Sequence, residues 1–394
     1  MINDILGRSI SIFHDDFVTF KDELTSKVSS ASFVVVGGAG TIGSSVVKVL
    51  ISLGAMKVQI VDISENNLVE LVRDIRSSHY NIVTEIETYV LDCGSQEFEK
   101  FLIAQPRVDY LLNFSALKHV RSERDVYTLK RLIDVNIINS MNLLRLAGTK
   151  NCKKYFCVST DKATNPVSVM GASKLLMEKF ILSNQSGVKV STARFANVAF
   201  SDGSLLFGFE NRLNKNQPLA VPADIRRFFI TQEEAGQLCV LSCLIADDKE
   251  ILFPKTNEFF MDISLVEIAE KYLLFKGFKP RIFEDELTAR NSVEKCSKKG
   301  FWPCFHFVSD TTGEKPFEEF YAKDESILLN RYKNIGVVLF KSNLNKSDYD
   351  SFIELYEKYK EQSVWTKPDF VKVLKRFLPN FLHEEKNKNL DQKM

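Results

Sequence analysis

The sequence predicts an α/β chain built on a doubly wound parallel sheet, with a smaller C-terminal substrate-binding subdomain and extra helices at both ends. Three observations carry this reading. Between residues 32 and 195, six short apolar runs, SFVVV, KVQIVD, ETYVLD, DYLLNF, KYFCVST and VKVSTARF, alternate with helical stretches, which is the rhythm of βαβ units. Directly after the first run comes a glycine loop, Gly37 to Gly43, at the opening of a helix. After about residue 200 the rhythm breaks into turn-rich stretches such as SDGS, NKNQP and VPAD, as expected where a second, smaller unit is assembled beside the first.

Composition narrows the function classes. With 52 Lys and Arg against 51 Asp and Glu, the net charge of +1 gives no electrostatic reason to expect nucleic acid or an anionic membrane as partner. No apolar run approaches the roughly 20 residues that span a bilayer. The stretch MINDILGRSISIFHDD is acidic where a signal peptide is basic, so a cytoplasmic protein is expected. The seven cysteines are odd in number and sit in apolar runs, which fits reduced thiols. Cys239 and Cys243 lie at helical spacing, but no second pair or histidine cluster completes a metal site, and no metal is expected.

Four segments follow. Residues 1–30 form an N-terminal helical extension, in which Leu6, Ile10, Phe13, Phe17, Phe20 and Leu24 recur at steps of four and three and would pack on the main domain. Residues 31–200 form the dinucleotide-binding domain. Residues 201–330 are mainly the substrate-binding subdomain with some return to the core, and the polar run EDELTARNSVEKCSKKG reads as an excursion from it. Residues 331–394 form a C-terminal helical extension of two amphipathic helices, DYDSFIELYEKYKEQ and KPDFVKVLKRFLPNF. Thr366 and Asp369 around Pro368 make a capping-box-like start for the second, and the tail after His383 is expected to fray.

The string VVVGGAGTIGSSVVKVL puts Gly37, Gly40 and Gly43 at three-residue spacing between strand and helix. Glycine is needed there because the backbone turns tightly, a pyrophosphate must approach without a Cβ in the way, and the helix packs close on the sheet. With Thr41 and Ile42 this is a Rossmann-type nucleotide loop. The next strand ends in Asp62, 19 residues beyond Gly43, where a carboxylate can accept both ribose hydroxyls of the adenosine. Ile63 follows, with no adjacent Arg for a 2′-phosphate, so NAD is favoured over NADP. Asp92 closes the third strand near the adenine, and Asn113, Ser115 and Ala116 close the fourth beneath the cofactor.

The fifth strand runs into Ser159, Thr160, Asp161 and Lys162, and Lys174 follows in MGASK. Open α/β sheets bind ligands at the carboxyl ends of their strands, so this triplet is placed for catalysis. The block CVSTDKATNPVSVMGASKLLMEKF, together with NFSALKHV, RFANVAFSDGS, RRFFIT and TGEKPFEEF, resembles the UDP-N-acetylglucosamine 4,6-dehydratases. These belong to the polysaccharide-biosynthesis branch of the extended short-chain dehydrogenase/reductase superfamily. The likeness runs over roughly residues 32 to 325. A Tyr four residues before the Lys is usual in the superfamily, and here that position is Met170. Glucose-type dehydratases carry Thr-Asp-Glu, where this chain has Lys162.

The resemblance implies a hydride taken from C4 of the sugar by NAD and returned to C6 after water is lost, with no net redox change. Two proton-transfer groups are then needed, and Asp161 as acid with Lys162 as base fit. A neutral lysine requires its pKa lowered from about 10.4 to about 7 to 8, a cost of roughly 3 to 5 kcal/mol. Thr160 would bond the 4-hydroxyl and Lys174 the nicotinamide ribose, with Met170 a packing residue beside them. The resemblance also implies that Lys118 lies near the sugar and that Asn197, Ser204 and Arg227 line the UDP site, Arg227 beside the diphosphate. An Arg-Pro pair usually precedes TGEK in the family; Thr311 stands there instead, with Arg281 and Arg290 as candidate replacements. A homo-oligomer is implied through the helices around DVNIINSMNLL and MGASKLLMEKF. Rival readings are an inverting dehydratase that also epimerises C5, a UDP-sugar 4-epimerase, disfavoured by Met170 and Lys162, and a dinucleotide sensor without catalysis.

Overall fold

The computed structural model describes residues 5–78, 82–184, 186–256, 262–309, 318–341, 344–362 and 365–383. The six apolar runs form the strands β1 (Ser32–Val36), β2 (Lys57–Asp62), β3 (Glu85–Val90), β4 (Tyr110–Asn113), β5 (Lys154–Val158) and β6 (Lys189–Ala193). All six are parallel and lie in the order β3-β2-β1-β4-β5-β6. β1 and β5 are buried along their whole length, so both read as continuous rather than alternating apolar runs. Between β2 and β4 the winding reverses at β1, which opens a ligand crevice beyond the carboxyl ends of β1 and β4.

Two later segments extend this sheet. After residue 230 the chain returns to the core through β8 (Glu250–Pro254), which pairs parallel with β6, and then through β12 (Ile335–Leu339) and β11 (Ser326–Leu328), both antiparallel to their neighbours. The resulting sheet has nine strands. The strand at Ile335–Leu339 lies inside the stretch read from sequence as helical; its run IGVVL is apolar and buried, so it sits in the sheet.

A second, smaller core gathers Leu206, Phe209, Val221, Ile268, Tyr272 and Trp302. It is built on a three-stranded sheet in which β10 (Phe301–Phe307) lies between β7 (Leu219–Pro222) and β9 (Lys279–Phe283), all parallel. The polar run 284–300, expected to be an excursion, is instead the crossover of this unit. Helices Glu286–Asn291 and Val293–Ser297 join β9 to β10 and bury Ala289, Val293 and Cys296 beneath a charged exterior. Its apolar residues are too few and too widely spaced to outweigh the charges in the sequence pattern.

The N-terminal extension is a pair of short helices, His14–Thr19 and Lys21–Ser29. Phe13 and Leu24 are fully buried, whereas Ile10 is exposed. The segment is fastened to the main domain by charge: Arg8 pairs with Glu234, and the buried carboxylate of Asp16 accepts the amides of Lys333 and Asn334 at 2.6 and 2.8 Å. The C-terminal helices are Lys346–Glu361 and Lys367–Phe377, the second begun by Thr366, whose N–H and hydroxyl both donate to Asp369. Phe352 meets the Phe180 ring at a tilt and Phe377 meets it edge-on, and the Tyr356 hydroxyl donates to Asp134 at 2.9 Å. This hairpin thus covers part of the helices from which subunit pairing was inferred. The tail expected to fray lies outside the described residues. Among the described residues no helix is long and apolar enough to cross a membrane, and all seven cysteines are buried and unpaired.

Candidate active site

A cavity of about 570 Å³ opens at the carboxyl end of the main sheet, within the size range of small-molecule sites. One wall is the glycine loop. Gly37 takes φ +69°, and a Cβ on Gly43 would lie 2.2 Å from the carbonyl oxygen of Gly37, so the helix α3 (Thr41–Ser52) can start only where both are glycine. Neighbouring helices are capped by serine hydroxyls, as at Ser64, Ser95, Ser168 and Ser204. Gly40 starts α3 without a side-chain cap. Its first-turn amides are left for an anion, and the dipole favours one. Gly37, Gly40, Thr41, Ile42 and Gly43 all line the cavity.

The remaining cofactor candidates divide. Asp62 accepts the amides of Ala39 and Ser64, both at 3.0 Å, and so braces the loop beside the end of β2. Ala116 lines the cavity. Asn113 does not: it is fully buried, its amide donates to Ser140 and Tyr155, and its oxygen accepts both N–H and Oγ–H of Ser115. Asn113 and Ser115 therefore shape the strand end from behind. Asp92 is not among the residues lining the cavity and pairs instead with Arg131 at 2.9 Å.

Opposite the loop stands the triplet. The Thr160 hydroxyl donates to Asp161 Oδ1 at 2.8 Å, and the Lys162 ammonium approaches the same oxygen at 3.3 Å. Thr160 and Lys162 line the cavity, with Met170 and Lys174 across from them on the helix Val169–Leu182. A Cβ on Gly171 would lie 2.3 Å from the Lys162 carbonyl oxygen, so glycine there lets the helix close on the loop that carries Lys162. Lys174 donates to the Val158 carbonyl at 2.9 Å, and burial pushes its ammonium pKa down, with Cys157 and Glu178 acting in the opposite direction. Met170 is buried, and its amide is held by Glu123 at 2.7 Å.

The substrate candidates Lys118, Asn197, Ser204 and Arg227 all line the same cavity. Ser204 caps the helix Leu205–Asn214, and burial lowers the Lys118 pKa, with Asp202 opposing. Thr311 lies outside the described residues. The proposed stand-ins for the missing arginine are elsewhere: Arg281 packs over the Phe283 ring, and Arg290 pairs with Glu286 on the surface.

Several residues were not legible as site residues. His119 lines the cavity, its pKa pushed down by burial and then by Lys118, Arg121 and Lys162. Asp202 bonds Thr41 at 3.0 Å and draws the SDGS turn over the start of α3. Asn136, in a one-turn π-helical insertion at Asp134–Ile138, clamps Leu117 by accepting its N–H and donating to its carbonyl, and also donates to Ser173; such bulges recur at functional sites. Glu318 accepts from Asn197 at 2.5 Å and from the Phe228 amide at 2.9 Å, and faces Arg227 at 3.4 Å. Burial pushes its carboxyl up to about 7, opposed by the Phe228 amide and reinforced by Asp161. The run TGEKPFEEF drew attention to this segment, but nothing in its spacing singled out one glutamate.

The fold, with a cavity at the carboxyl end of its sheet, is shared with solved epimerases and dehydratases of the short-chain dehydrogenase/reductase type. The chain belongs to the polysaccharide biosynthesis protein family, whose model matches residues 33–339. It is similar, at 29% identity over 283 residues, to an uncharacterized membrane protein of Methanocaldococcus jannaschii, covering 69% of this chain and 81% of that one. It is 27% identical over 233 residues to the inverting UDP-N-acetylglucosamine 4,6-dehydratase of Campylobacter jejuni, covering 57% and 66%, and 27% identical over 304 residues to the UDP-glucose 4-epimerase of Rickettsia bellii, covering 75% and 78%. Of the capsular polysaccharide biosynthesis protein CapD of Staphylococcus aureus, at 26% identity over 75% of this chain, it spans about half the length, 48%. Among solved structures, Pen from Bacillus thuringiensis superposes with a TM-score of 0.63 at 23% identity, covering 81% of this chain and 89% of that one. The dTDP-glucose 4,6-dehydratase DesIV of Streptomyces venezuelae, solved with NAD and TYD bound, superposes at 0.56 and 17% identity, covering 86% and 99%.

Proposed function

We propose that the chain is an NAD-dependent UDP-N-acetylglucosamine 4,6-dehydratase that retains the configuration at C5 and serves surface-glycan synthesis. The observation that carries this reading is the Thr160-Asp161-Lys162 cluster facing the glycine loop across one cavity, with Met170 where a proton-transferring tyrosine would otherwise stand. Gly37, Gly40, Gly43 and the first amides of α3 hold the pyrophosphate, Asp62 the adenosine ribose, and Lys174 the nicotinamide ribose. NAD supplies a hydride acceptor at C4 of the sugar and the same hydride as donor at C6.

The chain's own groups manage the protons. The 2.8 Å bond from Thr160 to Asp161 provides a path by which the proton of the 4-hydroxyl reaches the Asp161 carboxylate. Asp161 then gives that proton to the departing C6 hydroxyl, which leaves as water. Lys162 removes the C5 proton and returns it to the same face. Each proton taken is delivered, so the chain emerges unchanged. Met170 packs against the sugar with Lys118 near it, and Asn197, Ser204 and Arg227 hold the UDP moiety, the guanidinium matching phosphate oxygens.

Incubation of the NAD-loaded protein with UDP-N-acetylglucosamine is expected to yield a 4-keto-6-deoxy product, detected by mass loss of one water. Absence of that product with NAD bound overturns the proposal. The relative that inverts C5 supports a second reading in which reprotonation occurs on the other face. Proton coupling constants of the fresh product separate the two.

A further inference from the structure

Glu318 is a buried carboxylate one layer behind the cavity wall. Its side chain is 6% exposed, and that of Arg227 in front of it 12%. Among the described residues its partners come from two segments. Oε1 accepts from Asn197 Nδ2 at 2.5 Å and lies 3.4 Å from Arg227 Nε, and Oε2 accepts the amide of Phe228 at 2.9 Å. From the loop after β5, Asp161 and Lys162 also act on it. Two of its direct partners, Asn197 and Arg227, are the side chains the proposed function places on UDP.

The chain just beyond Glu318 is anchored. Two residues on, the Phe320 carbonyl accepts from Arg194 at 3.1 Å, and the Phe320 ring meets those of Phe228 and Phe253. Arg194 is itself 1% exposed and is gripped by two oxygens of Glu178 and two of Glu325. A diphosphate arriving at Arg227 therefore places a second anion beside the Glu318 carboxylate. Like charges competing for one buried cation are relieved by protonating the weaker acid, and a diphosphate diester stays ionised.

We propose that Glu318 is an exchangeable counter-charge for the diphosphate: in the free chain its carboxylate holds Arg227 and Asn197, and it takes up a proton from solvent when the diphosphate claims Arg227. The proposal rests on the UDP reading of this cavity. It makes Glu318 a positioning residue, acting through Arg227 and Asn197, that couples substrate affinity to pH. Because its carboxyl titrates near 7, substrate binds more weakly above that pH, where a charge must first be neutralised.

The test uses the NAD-loaded full chain and the β-methyl ester of UDP, which carries the diphosphate but no phosphate that titrates near neutrality and no sugar to turn over. Calorimetry at pH 7 in two buffers of different ionisation enthalpy is expected to show uptake of about half a proton, and Kd is expected to rise about tenfold between pH 6 and pH 8. Glu318→Gln should bind at pH 6 within about twofold of the unmodified protein and lose both effects, while Glu319→Gln keeps them. No uptake by the unmodified protein overturns the proposal whether or not the variant folds. Uptake that persists in Glu318→Gln also overturns it, and assigns the proton to another cavity group such as His119. If the methyl ester does not bind at any pH, the UDP reading itself fails, which is distinguishable from binding without proton uptake.

Discussion

The two sides of the cavity are built in different ways. The glycine-loop side is made of backbone: a left-handed glycine, a second glycine that admits no Cβ, and a helix start without a side-chain cap, all within seven residues. The opposite side is made of charged side chains drawn from remote segments, with Asn197 and Glu318 in contact across 121 positions of sequence. Backbone recognition needs a local pattern, whereas a side-chain network needs the whole fold to bring its members together. The first tolerates side-chain change around it, and the second is sensitive to pH and to any break in its charge pairing.

The largest effect that tests this contrast is on chemistry. Asp161→Asn and Lys162→Ala are each expected to lower kcat by about 10²- to 10⁴-fold while leaving NAD affinity unchanged, as measured by calorimetry and product formation. A parallel loss of NAD binding would break the separation between a backbone-held cofactor and a side-chain-driven reaction. Next is the joint between the two sides. Arg194→Met leaves the buried Glu178 without its partner, and breaking such a pair costs about 3–5 kcal/mol. A denaturation midpoint unchanged from the parent would show that the Arg194 cluster does not hold the second side in place.

Glu318 sharpens the comparison through pH. Burial raises its carboxyl from 4.5 to about 7, so the folded chain holds a proton that the unfolded chain releases between those values. Its contribution to stability is fully present below about 4.5 and is lost as pH rises through about 7. The share amounts to ~3 kcal/mol. Urea midpoints at pH 4.5, 6 and 8 should show a fall with pH that is smaller by this amount in Glu318→Gln; parallel curves would remove Glu318 as the titrating group. The smallest effect is expected at Ser204→Ala, which removes the hydroxyl that accepts the Phe207 amide at 3.2 Å. About 1 kcal/mol of stability should go with it, together with a rise in KM for the sugar nucleotide and little change in kcat.

Legibility followed the same division. β1 through β6, the glycine loop and the Thr160-Asp161-Lys162 block each announce themselves within a short window, and the structure brings the loop and the triplet to one cavity. The crossover 284–300 was misread because helices burying only Ala289, Val293 and Cys296 carry too weak an apolar period to show. Asn113 was placed at the cofactor by its position at a strand end, yet its side chain turned inward, where Ser140, Tyr155 and Ser115 satisfy it. Asn136, Arg194 and Glu318 carry no local signal because their partners lie far along the chain.

Local physics was therefore enough to settle the parallel sheet and to single out the glycine loop and the Thr160-Asp161-Lys162 block as candidate site segments. Strand propensity, glycine stereochemistry and the position of residues at strand ends act over a few residues and are written in order. Only the tertiary structure decided that the last strands run antiparallel into the main sheet, that the C-terminal helices lie on Phe180, and that a glutamate far from the loop stands behind Arg227 and Asn197. Those outcomes depend on which buried surfaces and charges meet, and that is a property of the packed chain rather than of any window within it.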